Sequence, residues 1–195
     1  MYATSLLPQH YTERMKIDLK NNKRQFFAVN ALSFLILLVF LVPVCFFVPV
    51  TPLIEGIFDG NPLPALLRLC TLCVGLIAYI VLHELVHGVF IRIFTGKRAK
   101  YGFSLAYAYA YSDFYFTKRP YLVIALAPVV LWGAVLAILA PVLPLSWFWV
   151  VYIIQLTNLS GAAGDLFVTV CLWRLPRDIL IKDDGTAMTV FAPQN

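Results

Sequence analysis

Charge is the scarcest property of this sequence. Asp, Glu, Lys and Arg make up 13% of its 195 residues, while 61% are hydrophobic. A soluble domain carries roughly 25% charged and 45–50% apolar residues. That shortage, with a mean hydropathy of +0.82, excludes an ordinary soluble domain. The length suits one compact unit with a few membrane spans. The net charge of +5 does not indicate a nucleic-acid partner, because the basic residues sit at the ends of apolar stretches and form no continuous stripe. Membrane lipid is the partner expected instead. Cysteine is also scarce. Cys45, Cys70, Cys73 and Cys171 all lie in apolar segments, which excludes a disulfide framework. Cys70 and Cys73 have the spacing of half a zinc site, but they precede His83 by ten residues or more, about 15 Å along a helix, and read as small packed residues. Repeats and low-complexity tracts are absent. No cleavable signal peptide is expected, since the first apolar stretch starts near Phe26 and is too long for one.

What the sequence has is long apolar runs. Residues 26–50, 65–94, 121–143 and 146–173 are each long enough for the ~30 Å hydrocarbon core. Pro43 and Pro128 are read as kinks within the first and third. The loop from Thr51 to Pro64 has Glu55 and Asp59 and no Lys or Arg. Arg92, Lys97, Arg98 and Lys100 follow the second span, and Arg174, Arg177 and Lys182 follow the fourth. The positive-inside rule then puts both termini of this expected integral membrane protein in the cytoplasm. Residues 1–25 are expected to form a cytoplasmic juxtamembrane helix, 26–175 the transmembrane core and 176–195 a cytoplasmic tail. The expected fold class is an all-α membrane protein with about four transmembrane helices. Two small β features are added to it. Tyr101, Phe103, Leu105, Tyr107, Tyr109 and Tyr111 alternate with small residues at period two, which predicts a short β-hairpin-like insertion between spans two and three. That insertion is either a tyrosine-rich interfacial anchor or an edge strand beside a site, able to pair with an extended substrate. In the tail, Asp184-Gly185 between two apolar runs predicts a second small hairpin.

The second span carries His83-Glu84-Leu85-Val86-His87. On a helix, histidines four apart share one face and can hold one metal ion, with the intervening Glu placed as a general base. Ionisable groups in a span are costly unless they are paired or functional. A catalytic zinc takes three protein ligands and leaves a fourth position open. The third ligand is constrained by absence, because no Glu follows His87 and the third histidine of the extended motif is replaced by Ile93. The downstream carboxylates are Asp113, Asp165, Asp178, Asp183 and Asp184. Only Asp165 lies within a span, where an unpaired Asp costs roughly 2.5–3.5 kcal/mol. Its depth matches that of His83 and His87, counted from the cytoplasmic ends of their spans. Asp165 is the expected third ligand, and Asp113 is its rival. Asn158, two turns earlier on the same face, is a candidate substrate-binding residue or an interhelical hydrogen-bonding group.

An H-E-x-x-H in one span and an Asp in a later span preceded by Asn resemble the site-2 protease class of intramembrane metalloproteases. The Gly161-Ala162-Ala163-Gly164-Asp165 form is most similar to a zincin peptidase group of multi-span bacterial membrane proteins. The likeness covers about residues 65–175. Gly164-Asp165-Leu166 departs from the Leu-Asp-Gly of site-2 proteases. The resemblance implies one Zn²⁺ held by His83, His87 and Asp165, a zinc-activated water as nucleophile, Glu84 as general base, and a membrane-protein or peptide substrate. The alternative is a zinc-binding membrane scaffold or regulator without proteolytic activity, which would have no use for Glu84.

Overall fold

The computed structural model describes residues 2–58, 60–103 and 108–194. Two strands, β1 (Ala3–Thr4) and β2 (Tyr11–Asp18), precede helix α1 (Lys23–Phe47). The single turn α2 (Thr51–Ile54) leads to α3 (Leu63–Thr95). Strands β3 (Lys100–Phe103), β4 (Ala108–Tyr111) and β5 (Tyr115–Thr117) follow, then α4 (Lys118–Val142), α5 (Leu145–Gly161) and α6 (Ala163–Trp173). Strands β6 (Leu180–Asp183) and β7 (Ala187–Pro193) complete the chain as described. The helices α1, α3, α4 and the α5–α6 pair are long and apolar enough to cross a membrane. The protein is therefore a mainly helical integral membrane protein with four spans and a minor β component. Helices dominate because hydrocarbon offers no partner for a backbone N–H or C=O, so each segment must satisfy its own.

Two expectations are corrected. Residues 2–22 form no helix, and the first helix starts only at Lys23. Tyr11–Asp18 is a strand that pairs antiparallel with β7, from Tyr11 opposite Pro193 to Asp18 opposite Ala187. Met15 and Ile17 alternate with Arg14, Lys16 and Asp18, a period of two that the cluster of charges conceals. The fourth span is also not one continuous helix. It breaks at Ala162, whose backbone N–H turns back to the Ser160 carbonyl. Before the break, the Thr157 and Ser160 hydroxyls each bond the carbonyl four residues back, a local competition that loosens a helix. Gly161 and Gly164 flank the break and have low helix propensity.

The chain forms two compact units. One comprises the described parts of Met1–Asn30, Leu82–Pro128 and Gly164–Asn195. It contains an antiparallel five-stranded sheet in the order β1-β5-β6-β7-β2. Phe116, Leu172, Ile179, Ile181 and Val190 are fully buried in it. The turn expected at Asp184-Gly185 joins β6 to β7, with Gly185 at φ +85° and the Asp184 carboxylate accepting from the Thr186 and Ala187 N–H groups.

The other unit comprises Ala31–Val81 and Val129–Ala163. The Trp149 indole donates to the Pro49 carbonyl and the Tyr152 hydroxyl to that of Phe40. Buried Arg68 donates to the carbonyls of Leu53 and Glu55, tying down the turn around α2. Cys45, Cys70 and Cys73 are free and exposed. Asn158 is fully buried. Its side-chain oxygen accepts from the Tyr79 hydroxyl at 3.0 Å, and its amide donates to the Val129 carbonyl at 3.2 Å. It thus links α3, α4 and α5 as an interhelical hydrogen-bonding group.

Asn158→Ala should lower stability by about 1–3 kcal/mol, the cost of leaving a buried partner unpaired. Combined with Tyr79→Phe, the loss should fall short of the sum of the single losses, because the two side chains share a bond. Denaturation of detergent-solubilised protein measures both, and strictly additive losses would exclude the coupling. Ile181→Ala should destabilise the sheet-bearing unit by about 2–5 kcal/mol in the same assay.

Candidate metal centre

Helix periodicity puts His83 and His87 of α3 on one face, with ring centroids 4.9 Å apart and planes at 75°. Both rings are almost entirely buried. Asp165 comes to them from the first turn of α6. Its Oδ2 lies 3.4 Å from the His83 Nε2 and 3.7 Å from the His87 Nε2. Two ligands at the usual zinc distances and a tetrahedral angle stand about 3.3 Å apart, so the spacing suits a shared ion. One ligand atom from each of the three residues lies within 4.8 Å of the others. Two imidazole nitrogens and one carboxylate oxygen form a zinc donor set that leaves one coordination position open. The break at Ala162 contributes by making Asp165 a first-turn residue, where unpaired backbone N–H groups and the helix dipole favour an anion.

The groups around these three are also paired. The His87 Nδ1 lies 2.8 Å from the Ile124 carbonyl in α4. A carbonyl can only accept, so Nδ1 carries the hydrogen, and Nε2, the nitrogen that faces Asp165, is the one that would ligate a metal ion. The carboxylate of half-buried Glu84 lies close to the Ala110 backbone N–H of β4.

That approach, and the Tyr101 ring against Gly88, put the tyrosine-rich insertion beside the site. β3 and β4 pair antiparallel, with Tyr101 opposite Ala110 and Gly102 opposite Tyr109. Tyr101, Phe103 and Tyr109 each face a small residue across the ladder, while Tyr111 faces Lys100. Ser104, Leu105, Ala106 and Tyr107 of the alternating stretch lie outside the described residues. Two tyrosines rest on glycines. A Cβ on Gly88 would lie 1.8 Å from the Tyr101 hydroxyl, and one on Gly185 would lie 2.2 Å from the Tyr109 ring. Gly88 directly follows His87, so the hairpin is seated on the ligand-bearing turn of α3.

Asp113 and Asp183 are occupied elsewhere. Asp113 is exposed and paired with Lys100 at 2.6 Å, a hydrogen bond that holds its carboxyl below the usual range. Asp183 accepts from the Tyr121 hydroxyl and the Gly185 N–H, and burial pushes its carboxyl up. The Ile124 carbonyl, the Gly88 seat and the Tyr121–Asp183 contact were not anticipated. Of these only Gly88 carries a sequence signal, since a glycine inside an apolar helix marks a close approach.

A protein of Pyrococcus woesei named "Uncharacterized 24.7 kDa protein in gap 5'region" is 29% identical over 122 residues, covering 60% of this chain and 53% of that protein. The chain therefore spans about half the length of this curated relative. No solved structure matches. Residues 76–180 match the family described as "Putative zincin peptidase". That stretch contains His83, Glu84, His87 and Asp165 together with the intervening hairpin, and the chain belongs to that family.

Proposed function

We propose that this protein is an intramembrane zinc metallopeptidase that hydrolyses a peptide bond in or near a membrane segment. The observation that carries the reading is the convergence of His83, His87 and Asp165, with Glu84 on the same turn of α3, in helices long and apolar enough to cross a membrane. Such helices keep ionisable groups where those groups are paired or functional. The family description and the donor set both support zinc. A zinc ion held by these three residues supplies Lewis acidity, polarising the scissile carbonyl and making water a nucleophile near neutral pH.

The chain's own residues then move the protons. Glu84 takes a proton from the attacking water as the new C–O bond forms. It delivers that proton to the departing amine nitrogen as the C–N bond breaks. The nearby Ala110 N–H is placed to steady the Glu84 carboxylate during this exchange. His83, His87 and Asp165 are the ligands in this reading, and no proton passes through them. Asn158 holds helices together and is not in contact with substrate, as its complete burial supports. The substrate is a membrane-protein or peptide segment, extended enough to present a peptide bond. The run of Lys97, Arg98 and Lys100 after α3 supports a site that opens toward the cytoplasm, with both termini on that side.

Metal analysis and cleavage assays on purified protein test the proposal. Wild type should hold about one zinc ion per chain. Glu84→Gln should hold as much zinc and lose at least about 100-fold in cleavage, the lower end of what a positioned acid–base group contributes. Asp165→Ala should lose zinc and activity together. Undiminished cleavage by Glu84→Gln would sink the mechanism. Full zinc occupancy without cleavage of any membrane substrate would favour a scaffold or regulator.

A further inference from the structure

We propose that Pro128 is a positioning residue of the metal centre, which frees the Ile124 carbonyl to hold the His87 ring. The inference deepens the metallopeptidase reading and rests on it for the identity of the bound ion.

In an α-helix the carbonyl of one residue accepts from the N–H four positions later. For Ile124 that donor would come from residue 128, which is proline. Proline has no N–H, and its ring crowds the carbonyl four residues before it. The Ile124 oxygen therefore loses its helical partner and is pushed off the helix axis. Pro128 is fully buried and Ile124 nearly so, so no solvent is at hand to replace the lost bond. Within a membrane span such a carbonyl must find another donor. His87 Nδ1 supplies it at 2.8 Å, the length of a full hydrogen bond.

The exchange benefits both partners. The helix recovers the bond that proline removed, and the imidazole is locked with hydrogen on Nδ1 and with Nε2 facing Asp165. With an N–H at residue 128, the carbonyl would be drawn back into the helical ladder and His87 would have to compete for it. Partners of this kind to a metal-bound histidine are worth about 10–100-fold in metal affinity or activity. Pro43 provides a contrast, because it too interrupts a span, but in α1, where no residue is buried.

The test compares Pro128→Ala and Pro128→Leu, which both restore the N–H and differ in volume, with Pro43→Ala as the control. Zinc affinity is measured by competition with a chromophoric chelator, and ligand geometry by the d–d spectrum of the cobalt-loaded protein. Both Pro128 variants should bind zinc about 10–100-fold more weakly and show a shifted cobalt spectrum, while Pro43→Ala should match wild type. In metal-free wild type with ¹⁵N-labelled histidine, one imidazole N–H should resonate downfield and resist exchange with solvent. That signal should be lost in His87→Gln and weakened in both Pro128 variants. Folded Pro128 variants with wild-type zinc affinity and an unchanged imidazole signal would overturn the proposal. So would an effect confined to one of the two, which would implicate volume and not the N–H. If neither variant folds, absence of the protected signal from wild type overturns it. Wild type that shows the signal but takes up no zinc would leave the Ile124–His87 contact standing and overturn the metallopeptidase reading alone.

Discussion

Ionisable groups inside apolar helices persist only when each has a partner, and the arrangement of this protein follows from that requirement. Asp165 at the centre of a span would cost roughly 2.5–3.5 kcal/mol if left alone. It instead faces two imidazoles, at 3.4 and 3.7 Å. One of those imidazoles is bonded in turn to a backbone carbonyl of α4, and Glu84 lies close to a backbone N–H of β4. The groups that hold and orient the centre thus come from two spans besides α3 and from the hairpin. Removing any one partner leaves another polar group stranded in a medium that cannot solvate it.

The hairpin shows how backbone accuracy is obtained without a large core. Its tyrosines are large and rigid, and they need flat places to rest. Gly88 and Gly185 provide such places because a side chain at either would collide with a ring. The Ala110 N–H is held near Glu84 by the ladder with β3 and by the seating of Tyr101 one turn along α3. Position is therefore transmitted to the base through backbone and aromatic contact, with no further charge placed in the span.

Much of this was legible in the chain because charge is so rare in it. Long apolar runs identified the four spans. The scarcity of acids downstream of His87 left Asp165 as the one span-borne carboxylate to join the two histidines. Period-two tyrosines marked the hairpin. The features that escaped notice depend on distant partners or on backbone groups. β2 is a strand because β7, some 170 residues later, pairs with it, and no local pattern states that pairing. The break at Ala162 is hidden because both flanks are apolar and together are long enough to count as one span. The sequence leaves Asn158 open as a substrate contact or an interhelical group, and its bonds to Tyr79 and Val129 have no local signature. The Ile124 carbonyl has no side-chain signature at all.

The order of the sheet has a consequence for biosynthesis. β7 lies between β6 and β2, so it is an inner strand, yet it is the last element described in the chain. β2 precedes every span and must wait for it. The unit that bears His83, His87 and Asp165 therefore cannot close its core until all four spans have been synthesised and Ala187–Pro193 has left the ribosome. The translating ribosome thus acts as a timer, and the centre acquires its full support only after the membrane has received the helices that carry it.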